Sequence, residues 1–398
     1  MTVEPQPTTA HTTAGEKLEQ LLAESPEAAS RRATSLLDLR AGDELVLYGA
    51  GTLGRTALAG LRAAGIEPTA FADNTPGKEG QTIDGVPVMT PRTAAAKFGA
   101  RALFVVTILN PALSFIEARR RLQTSTGARV ASFLSLAWKY PQSLLPHYQY
   151  VQPQDVLARA SQIRRAFRVW ADEKSRTQFV AHVEFRLRAD YGALPEASGD
   201  NYFPADVPLA LSDETTFVDC GAYDGDTVRR FIVERGGRFR EIYAFEPDTA
   251  NYRRLSQFVA SLDADVSRRI HVFNAGTGRR RERLSFNATG DTGASFDGAG
   301  GIEVDVLPIQ DIVAARAGES VYVKYDVEGA ELDALEGTRE LIARARPTLA
   351  VSVYHRPDDL WELPLYLASL GAGYRLYFRT QGSDGMDAIC YAVTRRDY

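Results

Sequence analysis

Residues 216–226 read TFVDCGAYDGD, and IYAFEPD follows at 242–248. The first stretch is an apolar strand run closing on a glycine turn crowded with acids; the second is another strand run ending at Glu246. Together they spell a nucleotide-handling βαβ unit. Gly221 and Gly225 let the backbone turn sharply and approach a ligand closely, and Glu246 falls where a carboxylate can grip a ribose diol. Ala222, Tyr223 and Asp224 fill the turn, Asp226 and Thr227 open the next helix, and Pro247 follows the acid. The turn departs from the dinucleotide fingerprint: Asp219, Asp224 and Asp226 stand where GxGxxG would bring a pyrophosphate to the helix N-terminus. Carboxylates there disfavour a diphosphate and suit a ligand carrying positive charge. S-adenosylmethionine, with a sulfonium, an ammonium and a ribose but no phosphate, meets that description and is the expected cofactor.

The chain has 398 residues, room for two or three domains with cores of their own. Its net charge is -5 with acids and bases well mixed, so no broad basic field argues for nucleic acid. The dense basic run of Arg279, Arg280, Arg281 and Arg283 reads as a solvated turn between strands. Cys220 and Cys390 sit in apolar strand-like sequence and form no CxxC pair, which suits reduced thiols and no structural zinc. No apolar stretch approaches the ~20 residues of a membrane span, and the start MTVEPQPTTAHTTAGEK lacks a leader pattern. These features lead us to expect a soluble, cytoplasmic protein, and they leave self-association into a homo-oligomer open.

The expected architecture is α/β: a smaller Rossmann-like nucleotide-binding domain, a helical connector, then a larger Rossmann-like domain. Residues 1–40 read as an irregular lead, to about residue 15, followed by short helices with a break at Ser25-Pro26. Residues 41–140 hold ELVLYGAGTLGRTALAGLRAAG, a strand, glycine turn and helix, then further strand runs at 104–108 and 129–134 around a helix from Pro111 to Gln123. Residues 141–210 are long, charged and helical, and read as a connector or cap. Within 211–398, strand runs recur at 216–220, 241–245, 270–274, 320–325, 348–353 and 374–379, which implies a mainly parallel sheet covered on both faces. RERLSFN at 281–287 and IEVDVLPI at 302–309 flank a glycine-rich loop and suggest an inserted hairpin.

FVDCGAYDGDT, IYAFEPDTANYRRL, VYVKYDVEGAELDALEG and LAVSVYHRPDDLWELPLYL, in that order over about residues 200–395, resemble the FkbM family of S-adenosylmethionine-dependent methyltransferases. The resemblance implies a seven-stranded methyltransferase fold and the cofactor more firmly than any substrate. It implies that Asp219 and Gly221 belong to the turn holding the methionine end of the cofactor and that Glu246 binds the ribose hydroxyls. Asn274 and Ala275, at the end of the third strand, occupy the region where this fold meets adenine; for Asn274 a plain turn role is nearly as good a reading.

In KYDVEGAE, Lys324, Asp326 and Glu328 alternate along an extended segment and can share one face at the carboxyl edge of the sheet, where α/β ligands bind. Asp326 is the first choice for orienting or deprotonating an acceptor hydroxyl, while the simpler reading of Glu331 is that it complements a helix dipole. SVYHRPDD places His355 at the end of the next strand, as a second candidate base or a helix cap. Members of the family often carry a histidine near the end of the sixth strand; this chain has Thr380 and Gln381 there, which weakens any substrate inherited by analogy. Asp326, Glu328 and His355 invite a divalent cation, yet no ligand-like spacing compels one, and no metal is expected. The expected acceptor is a small molecule: a sugar, a nucleotide sugar or a polyketide-type metabolite.

The amino-terminal GAGTLG, comprising Gly49, Gly51, Thr52, Leu53 and Gly54, is a strict GxGxxG between a strand and a helix, with Asp73 and Asn74 ending the next strand. FADNTPGKEGQTIDGVPVMTP also resembles the Rossmann-type amino-terminal domain of sugar O-acyltransferases, which binds a nucleotide sugar. NAD is the alternative ligand, and a docking module without ligand is a third reading. Two competing functions remain open at this level: a nicotinamide-dependent oxidoreductase centred on GAGTLG, and a non-catalytic nucleotide-sugar sensor.

Overall fold

The computed structural model describes residues 12–110, 113–286 and 302–394. Its contacts divide the chain into two compact units: Met1–Pro146 with Tyr150–Phe167 and Asp172–Pro195, and His147–Gln149 with Arg168–Ala171 and Glu196–Tyr398. The stretch expected to form a separate connector is therefore shared. Helices Pro153–Ala158 and Glu173–Arg188 pack on the amino-terminal helices Ala14–Leu22 and Pro26–Ser35 within the first unit, while residues from Glu196 onward join the second.

The first of these helices starts inside the lead expected to be irregular. Thr13 and Glu16 form a reciprocal capping box, with the Glu16 N–H donating to Thr13 Oγ1 at 3.2 Å and the Thr13 N–H to Glu16 Oε2 at 2.8 Å. Ser25 caps the second, and Pro26 opens it, as the sequence break implied.

The first unit is built on β1 (Glu44–Tyr48), β2 (Ala70–Ala72), β3 (Thr82–Ile83), β4 (Val86–Met89), β5 (Ala102–Val106) and β6 (Arg129–Ser132), in the order β3-β4-β2-β1-β5-β6. All neighbours run parallel except the β3–β4 hairpin. The helix expected over Pro111–Gln123 runs Phe115–Thr126, because Ser114 supplies the N-cap; residues 111 and 112 lie outside the described residues.

The second unit begins with β7 (Thr216–Cys220), β8 (Ile242–Phe245) and β9 (Ile270–Phe273). A small sheet follows, of β10 (Ala275–Thr277), β11 (Glu282–Phe286) and β12 (Ile302–Leu307), in which β11 and β12 are the expected antiparallel pair. The glycine-rich stretch between them lies outside the described residues. The main sheet resumes with β13 (Val321–Tyr325), β14 (Thr348–Ser352), β15 (Tyr374–Thr380) and β16 (Ala388–Thr394), giving seven strands in the order β15-β16-β14-β13-β7-β8-β9. Strand β16 has no counterpart among the strand runs read from the sequence; it inserts antiparallel between β14 and β15. Every residue of β7, β13 and β14 is buried, the continuous apolar signature of strands covered on both faces.

In this order the direction of winding reverses between β7 and β13, so a crevice opens at their carboxyl ends. The first unit has the same reversal between β1 and β5, beside the GAGTLG turn.

That turn is tightly built at one glycine and open at another. A Cβ on Gly54 would lie 2.0 Å from the Gly49 carbonyl oxygen, whereas one on Gly51 would meet nothing within 4 Å. Gly54→Ala should therefore destabilise the first unit by roughly 1–3 kcal/mol through overpacking against backbone, and Gly51→Ala should not. Amide hydrogen exchange over β1 and β5 checks this: protection should fall in the first variant and hold in the second.

Candidate functional site

Two backbone turns meet at the switch point of the second unit. Gly221, just after β7, has φ +83°, and a Cβ there would sit 1.9 Å from the Asp326 carbonyl oxygen, just after β13. Only glycine satisfies both the left-handed conformation and that approach. The Asp326 N–H in turn donates to the Cys220 carbonyl at 3.1 Å. Gly225, with φ +90°, precedes the helix Asp226–Glu234. Asp224 pairs with Arg229 at 3.1 Å, and Asp226, the first residue of the helix, accepts the Thr227 N–H at 2.7 Å.

Beneath this contact lies a buried ion pair. Lys324 Nζ is 2.9 Å from Asp219 Oδ1, donates to the Gly221 carbonyl at 2.6 Å, and stands 3.9 Å from Asp326 Oδ2. The side chains of Asp219 and Lys324 are both buried. Burial pushes the Asp219 carboxyl up to about 6, with Lys324 restraining the rise. For Lys324 burial works against the charge, but Asp219 and Asp326 outweigh it and hold the ammonium above the usual lysine range. The sequence placed Lys324 among catalytic side chains and Asp219 against the cofactor. The structure places both under the turn, as a strut between the two strands.

Glu246 bridges the turns after β7 and β8. Its Oε2 accepts the Tyr223 N–H and its Oε1 the Asp248 N–H, each at 2.8 Å. Burial raises this carboxyl to about 7 against the opposing pull of those backbone donors. Asn274 donates its side-chain amide to the carbonyls of Glu246 at 2.9 Å and Pro247 at 3.1 Å, which is the turn role, and Ala275 opens β10.

On the other side of Gly221, acids gather around one histidine. Asp326 Oδ1 accepts from Ser352 Oγ at 2.9 Å and lies 3.3 Å from His355 Nε2; Glu328 Oε1 lies 3.7 Å from the same nitrogen. Glu328 has φ +52°, a left-handed backbone that is uncommon off glycine and frequent at functional turns. Tyr148 Oη donates to Glu328 Oε2 at 3.3 Å, and Tyr354 Oη to Asp387 Oδ1 at 3.3 Å. Burial pushes Asp326 up, yet Lys324 and His355 overcome it and hold the carboxyl below its ordinary value. Burial raises Glu328 to about 7, with His355 opposing. Burial would discharge His355, but Glu331, Glu328 and Asp326 together keep the imidazole protonated well above the usual histidine range.

The structure therefore brings Asp326, Glu328 and His355 together and adds Tyr148, Ser352, Tyr354, Glu331 and Asp387. Tyr148 lies 180 positions before Glu328, and no local pattern marks it. Gln381, which stands where the family often carries a histidine, is buried, donates to Tyr391 Oη at 3.2 Å and meets Ser198. Among the described residues no group of three or more His, Cys, Asp or Glu side chains is placed to hold a metal ion. The arginine run pairs on the surface with Asp333, Glu282 and Asp305. Among the described residues no helix is long and apolar enough to cross a membrane.

In the first unit Asp73 turns onto its own glycine turn. It accepts the Ala50 N–H at 3.0 Å, the Thr75 N–H at 2.8 Å and Lys78 Nζ at 2.8 Å. Burial would raise this carboxyl, but Lys78 and those donors bring it down to about 2. A ribose diol there would have to share a carboxylate already engaged three times. Asn74 donates to Tyr48 Oη at 3.2 Å.

The buried strut generates a stability prediction. Lys324→Met leaves Asp219 as an uncompensated buried acid and should destabilise the second unit by about 3–5 kcal/mol; adding Asp219→Asn should recover much of the loss. Equilibrium urea unfolding of the two variants and the wild type measures both steps.

Residues 219–378 match the family model described as Methyltransferase FkbM domain. A comparison with curated protein sequences returns no match. Among solved structures, the methyltransferase FkbM from Methylobacillus flagellatus KT superposes with a TM-score of 0.76 at 22% identity, covering 96% of this chain and 100% of its own. At that identity the likeness speaks for the fold. A SAM dependent methyltransferase from Aquifex aeolicus aligns with a TM-score of 0.29 at 15% identity over 51% of this chain and 96% of its own, too distant to add to the reading. The glycine turn at Gly221, the acid at Glu246 and the Lys324–Glu331 segment all fall inside the range, within the second unit, that matches the methyltransferase FkbM domain model.

Proposed function

We propose that this chain is an S-adenosylmethionine-dependent methyltransferase that methylates a hydroxyl oxygen of a sugar or polyketide-type acceptor. The observation that carries the reading is the convergence of Asp326, Glu328 and His355 directly beside the Gly221 turn, at the crevice where the sheet reverses direction.

The residues present fit the cofactor. The turn from Gly221 to Asp226 itself contains two acids and no basic residue, with Arg229 on Asp224, Lys324 on the Gly221 carbonyl and Arg254 over the Tyr223 ring as the flanking cations, so Asp226 is the acid left to favour a sulfonium or an ammonium. Each Glu246 oxygen accepts one backbone N–H and the carboxylate also meets the Asn251 side chain, which leaves part of its accepting capacity for a ribose hydroxyl. When bound, S-adenosylmethionine supplies an electrophilic methyl group. The chain's own task is then to hold the acceptor oxygen in line and to take its proton. Asp326, kept ionised by Lys324 and His355, can accept a hydrogen bond from the acceptor hydroxyl and orient it. His355 Nε2, 3.3 Å from Asp326 Oδ1, is placed to receive the proton once the ring has released its own, so methyl transfer should rise with pH toward the raised His355 midpoint. The acid-rich wall of Asp326, Glu328 and Asp387 suits a neutral polyol and repels a phosphorylated group.

Calorimetric titration with S-adenosylmethionine, NAD and nucleotide sugars separates this reading from the oxidoreductase and sensor alternatives. Glu246→Ala should weaken S-adenosylmethionine binding at least tenfold, since charge-assisted hydrogen bonds are worth ~1.5–3 kcal/mol each. Unchanged affinity would remove Glu246 from the site.

Asp326→Asn and His355→Ala address the chemistry. Cofactor binding should survive in both, while methyl transfer drops by ~10²–10⁴ in the variant that has lost the proton acceptor. Near-normal single-turnover rates in both variants would mean that the acceptor needs no enzymic base, as for an amine, and would overturn O-methylation.

A further inference from the structure

His355 is held from one side only. Its Nδ1 lies 2.7 Å from Glu331 Oε1, with both side chains buried, whereas Nε2 is buried, has no hydrogen-bond partner and lies between Asp326 Oδ1 at 3.3 Å and Glu328 Oε1 at 3.7 Å. Glu331 is itself pinned: Oε1 also accepts the Val327 N–H at 2.9 Å, from the turn that carries Asp326 and Glu328. The side chain thus does more than complement a helix dipole. A carboxylate only accepts, so Nδ1 must carry a hydrogen in either charge state of the ring. Once the ring gives up its second proton, which the acids around it delay to above the usual histidine range, the neutral form presents its lone pair at Nε2, beside the Gly221 turn.

We propose that Glu331 is a positioning residue that fixes the His355 tautomer and aims Nε2 at the acceptor oxygen, an inference that rests on the methyltransferase reading. The acceptor hydroxyl gives its proton to Nε2 while its oxygen bonds to the methyl carbon and the carbon–sulfur bond breaks, its electron pair staying on sulfur. The imidazolium that forms sits against the Glu331 carboxylate. This is the arrangement of a base oriented by a third group, met here on the carboxyl edge of a parallel sheet. The other titratable groups facing the ring are Asp326, Glu328, Asp359, Asp387, Tyr354 and Tyr148. Burial and then Glu331 raise the Asp359 carboxyl to about 8, which weakens its claim on the charge.

The test is nitrogen-15 NMR of histidine-labelled full-length protein across a pH series, for wild type and Glu331→Gln. In the wild type Nδ1 should stay protonated throughout, and Nε2 should be the nitrogen that titrates. Removing one anion makes the imidazolium lose its proton more easily, so Glu331→Gln should lower the His355 midpoint by about one pH unit or more. Its affinity for S-adenosylmethionine, by calorimetry, should stay within twofold. A neutral wild-type ring protonated at Nε2 would overturn the proposal, as would an unmoved midpoint in a folded Glu331→Gln. If that variant does not fold, the wild-type tautomer decides alone. Failure of the wild type to bind S-adenosylmethionine would sink the methyltransferase reading instead, without touching the tautomer measurement.

Discussion

The approach of Gly221 to Asp326 is the constraint on which the rest of the site hangs. The turn that would face a cofactor and the turn that would face an acceptor touch backbone to backbone, and neither can move without the other. Lys324 reinforces the contact from below by joining the Gly221 carbonyl, Asp219 and Asp326. In so dry a place a lysine and an aspartate persist only as a pair, because each alone would be a costly buried charge. The pair ties β7 to β13 at the point where the sheet reverses direction.

Burial then sorts the surrounding acids into different states. Asp326 stays ionised because Lys324 and His355 flank it, while Glu246 and Glu328 are carried to about 7 and Asp359 to about 8 by desolvation. One functional group, the carboxyl, therefore supplies a charged orienting group and several more easily neutralised ones around the same turns. Pairs of groups with separated proton affinities are the usual basis of acid and base assignments. Here they place the permanent negative charge at Asp326, next to the histidine, which is where the proposed reaction needs a developing positive charge to be offset.

The first unit repeats the architecture without repeating the electrostatics. Its glycine turn is as tightly packed, at Gly54 against Gly49, but the acid ending the next strand is spent on the turn and on Lys78. Glu246 bridges two turns and retains accepting capacity; Asp73 is brought down to about 2 by its donors. The difference shows why the glycine pattern alone is a weak guide.

Much of the fold was legible in the residues because strand runs and glycine turns are local signals. The runs at 216–220 and 348–353 coincide with β7 and β14 to within a residue, and the acids at 219, 246 and 326 mark strand ends. Strand β16 was legible only as strand-like sequence around Cys390; its place, antiparallel between β14 and β15, depends on pairing across the sheet. The alternation of Lys324, Asp326 and Glu328 suggested one shared face. The positive φ at Glu328 ends that alternation, and the buried partner Asp219 draws Lys324 beneath the turn. Tyr148 and Glu331 acquired their places only when distant segments met around His355. Sequence by itself determined where the backbone must turn and which residue types stand at strand ends, since those depend on neighbours along the chain. Tertiary structure decided which acids are charged, which nitrogen of His355 is offered and which lysine is structural, because burial and partners across the sheet set those states.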